Sequence, residues 1–150
     1  MRSKGRLLIV AMAGAATVLA AFAIYLATST PPTFADVAYG QSSDRNRLDI
    51  YLPPIARDPQ PVVVLVHGGG FRFGDEARRA NLGEFLEAGF AVAAINYRLS
   101  NEAIWPAQLI DVTDAIRYLH DNAASFGIDP ARMAAFGQSA GGHLALSTAA

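Results

Sequence analysis

Gly137-Gln138-Ser139-Ala140-Gly141 sets a serine between two glycines in the pattern G-x-S-x-G. A serine hydroxyl attacks a carbonyl only with a general base to take its proton and donors to hold the oxyanion that forms. Alone the pattern is weak, since three fixed positions recur by chance in roughly 5% of chains this long. Its setting adds weight. Met133 to Phe136, "MAAF", reads as a short buried strand and Gly141 onward as a helix, so Ser139 falls on the strand-to-helix turn of a nucleophile elbow. Such a turn lifts the hydroxyl clear of the sheet. Side chains at 137 and 141 would collide with the neighbouring strand and helix, which calls for glycine there. The Ala140 N–H would point at the oxyanion, helped by the positive end of the helix it opens. The alternative is a glycine-rich turn that contains a serine incidentally.

His67-Gly68-Gly69-Gly70 directly follows the β-branched run Val62 to Val66. Three consecutive glycines at a strand end let backbone N–H groups approach a ligand with no side chain in the way. A flexible loop or a phosphate loop would use similar residues, but neither G-x-x-x-x-G-K-[ST] nor G-x-G-x-x-G is present. Loops at the C-terminal ends of parallel strands can converge over one crevice. One would then supply the nucleophile and the other the oxyanion donors.

The elements that must position these loops follow from periodicity. "RLDIYLP", Arg47 to Pro53, alternates Leu48, Ile50 and Leu52 against Arg47, Asp49 and Tyr51, as a half-buried strand does. Val62 to Val66 and Phe90 to Asn96 are uninterrupted apolar runs, the mark of strands buried on both faces. A helix is expected around Arg78 to Ala88, ended by Gly89, and another from Ala107 to Asn122 with Leu109, Val112, Ile116 and Leu119 on one face. Strand and helix alternate, which predicts an α/β fold with a mostly parallel sheet and helices on both faces.

Composition bounds the rest. The chain has 150 residues, enough for one domain, is 52% hydrophobic and carries a net charge of −1. No basic stripe occurs past the first six residues, which speaks against a nucleic-acid partner. There are no cysteines, and His67, His120 and His143 are too scattered for a recognisable metal site. No cofactor is implied. At the N-terminus, Arg2, Lys4 and Arg6 precede an uncharged run from Leu7 to Ala27. A helix of that length spans roughly 32 Å and would cross a bilayer core. The basic flank predicts the N-terminus inside and the rest outside the cytoplasm. A retained membrane anchor and a cleaved secretory signal both remain open, the latter with small residues near Ala27 and Ala35. Residues 1–33 are thus assigned to the anchor or signal plus a short proline-bearing linker, and 34–150 to the globular domain.

"HGGGFRFGD" (His67 to Asp75), "NYRLS" (Asn96 to Ser100), "PAQLIDVTDAIRYL" (Pro106 to Leu119) and "FGIDPARMAAFGQSAGGHLA" (Phe126 to Ala145) together resemble the α/β-hydrolase superfamily. More narrowly they resemble hormone-sensitive-lipase-like and feruloyl-esterase-like bacterial carboxylesterases, from about Tyr39 onward. The resemblance implies hydrolysis of a small-molecule carboxylic ester through an acyl-serine intermediate. Ser139 matches the nucleophile, and Gly69, Gly70 and Ala140 match the oxyanion donors, with Gly68 a lesser contributor. His67 matches a residue that shapes the loop and moves no proton. A peptidase of the same superfamily and a non-catalytic membrane-tethered binding module are the competing readings. The glycine loop favours an esterase over the first, and retention of Ser139 with that loop argues against the second for a full-length parent, though not for these 150 residues.

Several residues tempt. His143, four after Ser139, is expected to pack under the sheet edge and not to act as the base, and His120 sits near a helix C-terminus without a catalytic role. Asp111 and Asp114 fit a solvated helical face; the resemblance allows Asp111 a structural contact at best. Arg98 and Asp75 are expected to bind each other or loop backbone near the crevice. Phe71 and Trp105 fit either a substrate pocket or ordinary packing. In α/β-hydrolases the triad runs Ser, then Asp or Glu, then His along the chain, and no acidic residue follows Ser139 here. The chain therefore reads as a hydrolase fold cut after the elbow, whether as a fragment, a truncated gene model or an engineered cut. These 150 residues are expected to show no triad-dependent turnover of p-nitrophenyl acetate or butyrate; turnover abolished by Ser139→Ala would reinstate His143 as a base.

Overall fold

The computed structural model describes residues 30–55, 58–77 and 81–148. The apolar run from Leu7 to Ala27 lies outside the described residues. Among the described residues, no helix is long and apolar enough to cross a membrane.

Among the described residues, five strands form one sheet: β1 (Phe34–Ala38), β2 (Arg47–Tyr51), β3 (Gln60–Val66), β4 (Ala91–Ile95) and β5 (Ile128–Gly137), in the spatial order β1-β2-β4-β3-β5. β3 pairs in parallel with β4 and with β5, whereas β2 runs antiparallel to both β1 and β4. The sheet is therefore mixed, which corrects the expectation of a mostly parallel one. The alternation in Arg47–Tyr51 carried the hint, because period-two patterning belongs to antiparallel strands away from the sheet centre. β1 had not been expected at all; its exposed, irregular FADVA pattern lacks a strand's alternation.

Among the described residues, four helices accompany the sheet: α1 (Leu82–Glu87), α2 (Ala107–Asp121), α3 (Ala123–Phe126) and α4 (Ala140–Ser147). They cover both faces. Val62, Val64, Val66, Ala91, Ala93 and Ile95 point to one side and pack with Val112, Leu119 and Leu144 from α2 and α4. The intervening Val63, Leu65, Val92 and Ala94 point to the other side, against Leu86 of α1. Successive strand residues face opposite ways, so a continuous apolar run is what a strand covered on both faces requires. Past α1, Gly89 takes φ +84°, with its N–H donating to Leu86 O and that of Phe90 to Phe85 O, a glycine-terminated helix end.

β5 departs from expectation. It is ten residues long instead of four, and much of it is exposed, with Phe136 at 40%. Its apolar run had suggested burial on both faces. It pairs with β3 on one side, and among the described residues no strand lies along its other edge. Phe136 finds only partial cover, edge-on to Phe85 of α1.

A buried ion pair ties the end of β4 to α2. Arg98 donates from Nε and Nη2 to the carboxylate of Asp111, at 2.9 and 2.7 Å, and its backbone N–H donates to the same group at 2.8 Å. Those hydrogen bonds hold the Arg98 guanidinium pKa above its already high ordinary value. Asp111 is 2% exposed, so it does not lie on a solvated face; Asp114 does, paired with Arg117 at 3.0 Å. Arg98 is thus committed to Asp111 and not to Asp75, which instead accepts the Ala77 N–H. Removing one partner of a buried pair strands the other. Asp111→Ala is expected to lower the unfolding free energy by about 3 kcal/mol in urea titration; a loss below about 1 kcal/mol, typical of surface pairs, would contradict this.

Candidate active site

Ser139 stands where β5 ends and α4 begins. Its backbone takes φ +56° and ψ −121°, a combination that is strained for a residue with a side chain and that recurs at functional turns. Two close approaches enforce the bend. A Cβ at Gly141 would lie 2.0 Å from the carbonyl oxygen of Val66 on β3, and one at Gly137 would lie 2.3 Å from the carbonyl carbon of Gly141. The first turn of α4 is therefore pressed on the end of β3, and the end of β5 on that turn. A Cβ at Gly142 would meet Gly137 O at 2.9 Å, so this neighbour of the motif belongs to the same packing. Gln138 O accepts the Gly141 N–H and Ser139 O accepts the His143 N–H, each at 3.0 Å. Ser139 itself is exposed at the sheet's end.

The loop His67–Gly70 leaves β3 beside it. Val66 and Gly137 are partners in the β3–β5 register, which brings the glycine loop and the serine turn side by side. A Cβ at Gly68 would sit 2.7 Å from Gln138 O and 3.6 Å from Ser139 Cβ. Gly69 has φ +126°, and its carbonyl accepts the N–H groups of Arg72 and Phe73, which turns the chain back. Among the described residues, the N–H groups of Gly69, Gly70 and Ala140 are bonded to no acceptor.

His67 is buried, with its ring stacked on Tyr97 at 4.3 Å between centroids and its Nδ1 2.9 Å from Gly68 O. Tyr97 follows β4, and its hydroxyl donates to His67 O at 2.9 Å. Burial pushes the Tyr97 phenol up to about 12, although the nearby Arg45 guanidinium pulls it part of the way back. Tyr97 was not singled out from sequence. Its only signal there was its place in "NYRLS", one residue past a buried strand.

His143 lies elsewhere than expected. It is exposed, not packed under the sheet edge, and its ring stands between Phe71 at 6.2 Å and Trp105 at 5.9 Å. Helical spacing puts residue 143 on the same face as residue 139, toward the loops and away from the core. Among the described residues, no carboxylate is hydrogen-bonded to its ring. Trp105 is 53% exposed and Phe71, next after the glycine loop in sequence, is half-buried; both rings lie near that of His143. His120 lies on the surface against Asp121. Among the described residues, no cluster of three or more His, Asp or Glu side chains could hold a metal ion.

A glycine loop and a strained serine turn at adjacent parallel strand ends, over a sheet covered on both faces, define an α/β-hydrolase. The chain belongs to the BD-FAE family, whose model matches residues 48–150. It is 41% identical over 100 residues to the carboxylesterase NlhH of Mycobacterium tuberculosis, covering 63% of this chain and 30% of that one. It is 39% identical over 110 residues to a probable isoprenylcysteine alpha-carbonyl methylesterase of rice, Oryza sativa, covering 73% of this chain and 26% of that one. Among solved structures it is similar to a truncated carbohydrate esterase from gut microbiota, with a TM-score of 0.71 and 38% identity over 78% of this chain and 45% of the other. It is also similar to an esterase of Thermogutta terrifontis, with a TM-score of 0.69 and 31% identity over 76% of this chain and 44% of the other. The chain thus spans between a quarter and a third of these curated relatives and less than half of these structures.

The elbow packing gives a direct test. Gly141→Ala puts a methyl group within 2.0 Å of the Val66 carbonyl, so it is expected to cost at least the roughly 1–3 kcal/mol typical of overpacking. Gly83→Ala, with open space around its Cβ, is expected to be neutral or mildly stabilising in the same urea titration. Equal effects for the two would refute the close approach.

Proposed function

We propose that the whole protein is a serine carboxylic-ester hydrolase. Ser139 Oγ attacks the ester carbonyl, and the carbonyl oxygen becomes a tetrahedral oxyanion. The N–H groups of Gly69, Gly70 and Ala140 receive that charge. Collapse of the adduct expels the alcohol and leaves an acyl-serine, which water then hydrolyses. The observation that carries this reading is the close approach of the two loops: a Cβ at Gly68 would stand 2.7 Å from Gln138 O and 3.6 Å from Ser139 Cβ, which supports one shared site for donors and nucleophile. The esterase names of the relatives in both comparisons support the same chemistry.

The proton acceptor is assigned outside the described residues. His143 is close to Ser139 in sequence, but its ring is held between two aromatic side chains with no orienting carboxylate among the described residues. At the relatives' full length, an acid and a histidine outside the described residues would complete the triad. His67 and Gly68 shape the loop. Residues 1–33, as an anchor or a signal, would deliver the domain outside the cytoplasm, where its partner is a small ester and not a nucleic acid.

At the relatives' full length, Ser139→Ala is expected to lower kcat for p-nitrophenyl butyrate by about 10,000-fold or more. A fluorophosphonate should label Ser139, as located by peptide mass spectrometry. Hydrolysis that survives the substitution, or a label on another residue, would refute the assignment.

A further inference from the structure

The glycine loop is held from its two ends, and a residue far away in sequence joins them. Its start is fixed by Tyr97, which stacks on His67 and donates to His67 O. Its return passes through Gly74, where a Cβ would stand 2.4 Å from His67 Nδ1 and 2.7 Å from Gly68 O. Gly74 is therefore packed on the very residues that lead into the candidate oxyanion donors. Just beyond, the Glu76 N–H donates to the Asn96 side chain at 2.7 Å. Both ends of the loop thus rest on the residues that follow β4.

Arg45 bridges them. It lies in the turn between β1 and β2, and its guanidinium donates from Nη2 to Gly74 O at 2.6 Å and from Nε to Tyr97 O at 3.0 Å. Glu102 stands 3.6 Å from Nε and accepts the Ser43 hydroxyl at 2.9 Å, so the counter-charge is held by the same turn. The Arg45 N–H in turn donates to Ser43 Oγ. A planar guanidinium offers two donors in a fixed fork, which a lysine ammonium cannot reproduce. Bonds to a charged donor are also roughly twice as strong as neutral ones.

We infer that Arg45 is a positioning residue for the reaction. By clamping the Gly74 and Tyr97 carbonyls together, it holds the loop of Gly69 and Gly70 at a set distance from Ser139. This role rests on the proposed esterase chemistry, but the clamp itself does not. Donors aimed at an oxyanion act only when preorganised, and an error of about 1 Å can cost roughly a hundredfold in rate.

Two measurements separate the clamp from the chemistry. The first is hydrogen–deuterium exchange on the 150-residue chain carrying Arg45→Met or Arg45→Lys. Exchange in the segment 67–76 is expected to rise by about tenfold or more, the yield of losing a charge-assisted hydrogen bond to Gly74 O, while 62–66 in β3 stays protected. The second is ester hydrolysis at the relatives' full length. There Arg45→Met is expected to lower kcat about 10- to 100-fold with KM within about twofold, and Arg45→Lys to fall between it and wild type. Arg117→Met, which removes an exposed guanidinium elsewhere, serves as the unchanged control. Wild-type exchange in both Arg45 variants, exchange raised equally in β3, or a loosened loop with unchanged kcat would each overturn the inference. A loosened loop in a protein whose wild type shows no Ser139-dependent hydrolysis would keep the clamp and refute the proposed function instead.

Discussion

The first turn of α4 meets the end of β3 at a distance that leaves no room for a side chain. A Cβ at residue 141 would overlap the Val66 carbonyl. Much of the site follows from that contact. It fixes where the helix starts, so β5 must end at Gly137 and the intervening Ser139 must take a left-handed backbone. It also puts that serine beside the loop leaving β3, because the strand whose end is touched is the strand from which the glycine loop departs. The serine turn and the glycine loop are neighbours because β3 and β5 are neighbours, in register at Val66 and Gly137.

Around this contact the structure spends polar groups to hold backbone. The Tyr97 hydroxyl, the Asn96 side chain, the Arg45 guanidinium and the Asp111 carboxylate all bond main-chain groups of the segments after β3 and β4. Loops at strand ends gain little apolar burial, so directional bonds must supply the rigidity that packing gives the sheet. The apolar strands fix where the loops start. These four side chains fix the course that the loops take from there.

Much of this was legible in the residues. The runs Val62 to Val66 and Phe90 to Asn96 announced strands covered on both faces, found at Gln60–Val66 and Ala91–Ile95, and Ala107 to Asn122 showed a helical stripe, because burial on two faces or one leaves a direct periodic trace. The glycines of the elbow were legible for a related reason: only glycine fits where backbones touch. Other features left no such trace. β1 has neither a run nor an alternation, and the antiparallel direction of β2 depends on which strand it pairs with. The exposure of β5 was misread, since an apolar run reports the capacity for burial and not the presence of a cover.

The sequence by itself determined the class of the fold, the family, and a serine turn and a glycine loop that each follow a buried strand, because these are written in local patterns and residue types. Only the tertiary structure decided that Arg98 belongs to Asp111, that His143 stands exposed between Phe71 and Trp105, and that Arg45 and Tyr97 hold the loop. The partners in those contacts lie 13 to 72 residues apart, apart from Arg45's own turn. No periodicity links them. They meet because strand order and register place the start of β2 and the ends of β3, β4 and β5 on one side of the sheet, and that order is a property of the assembled chain.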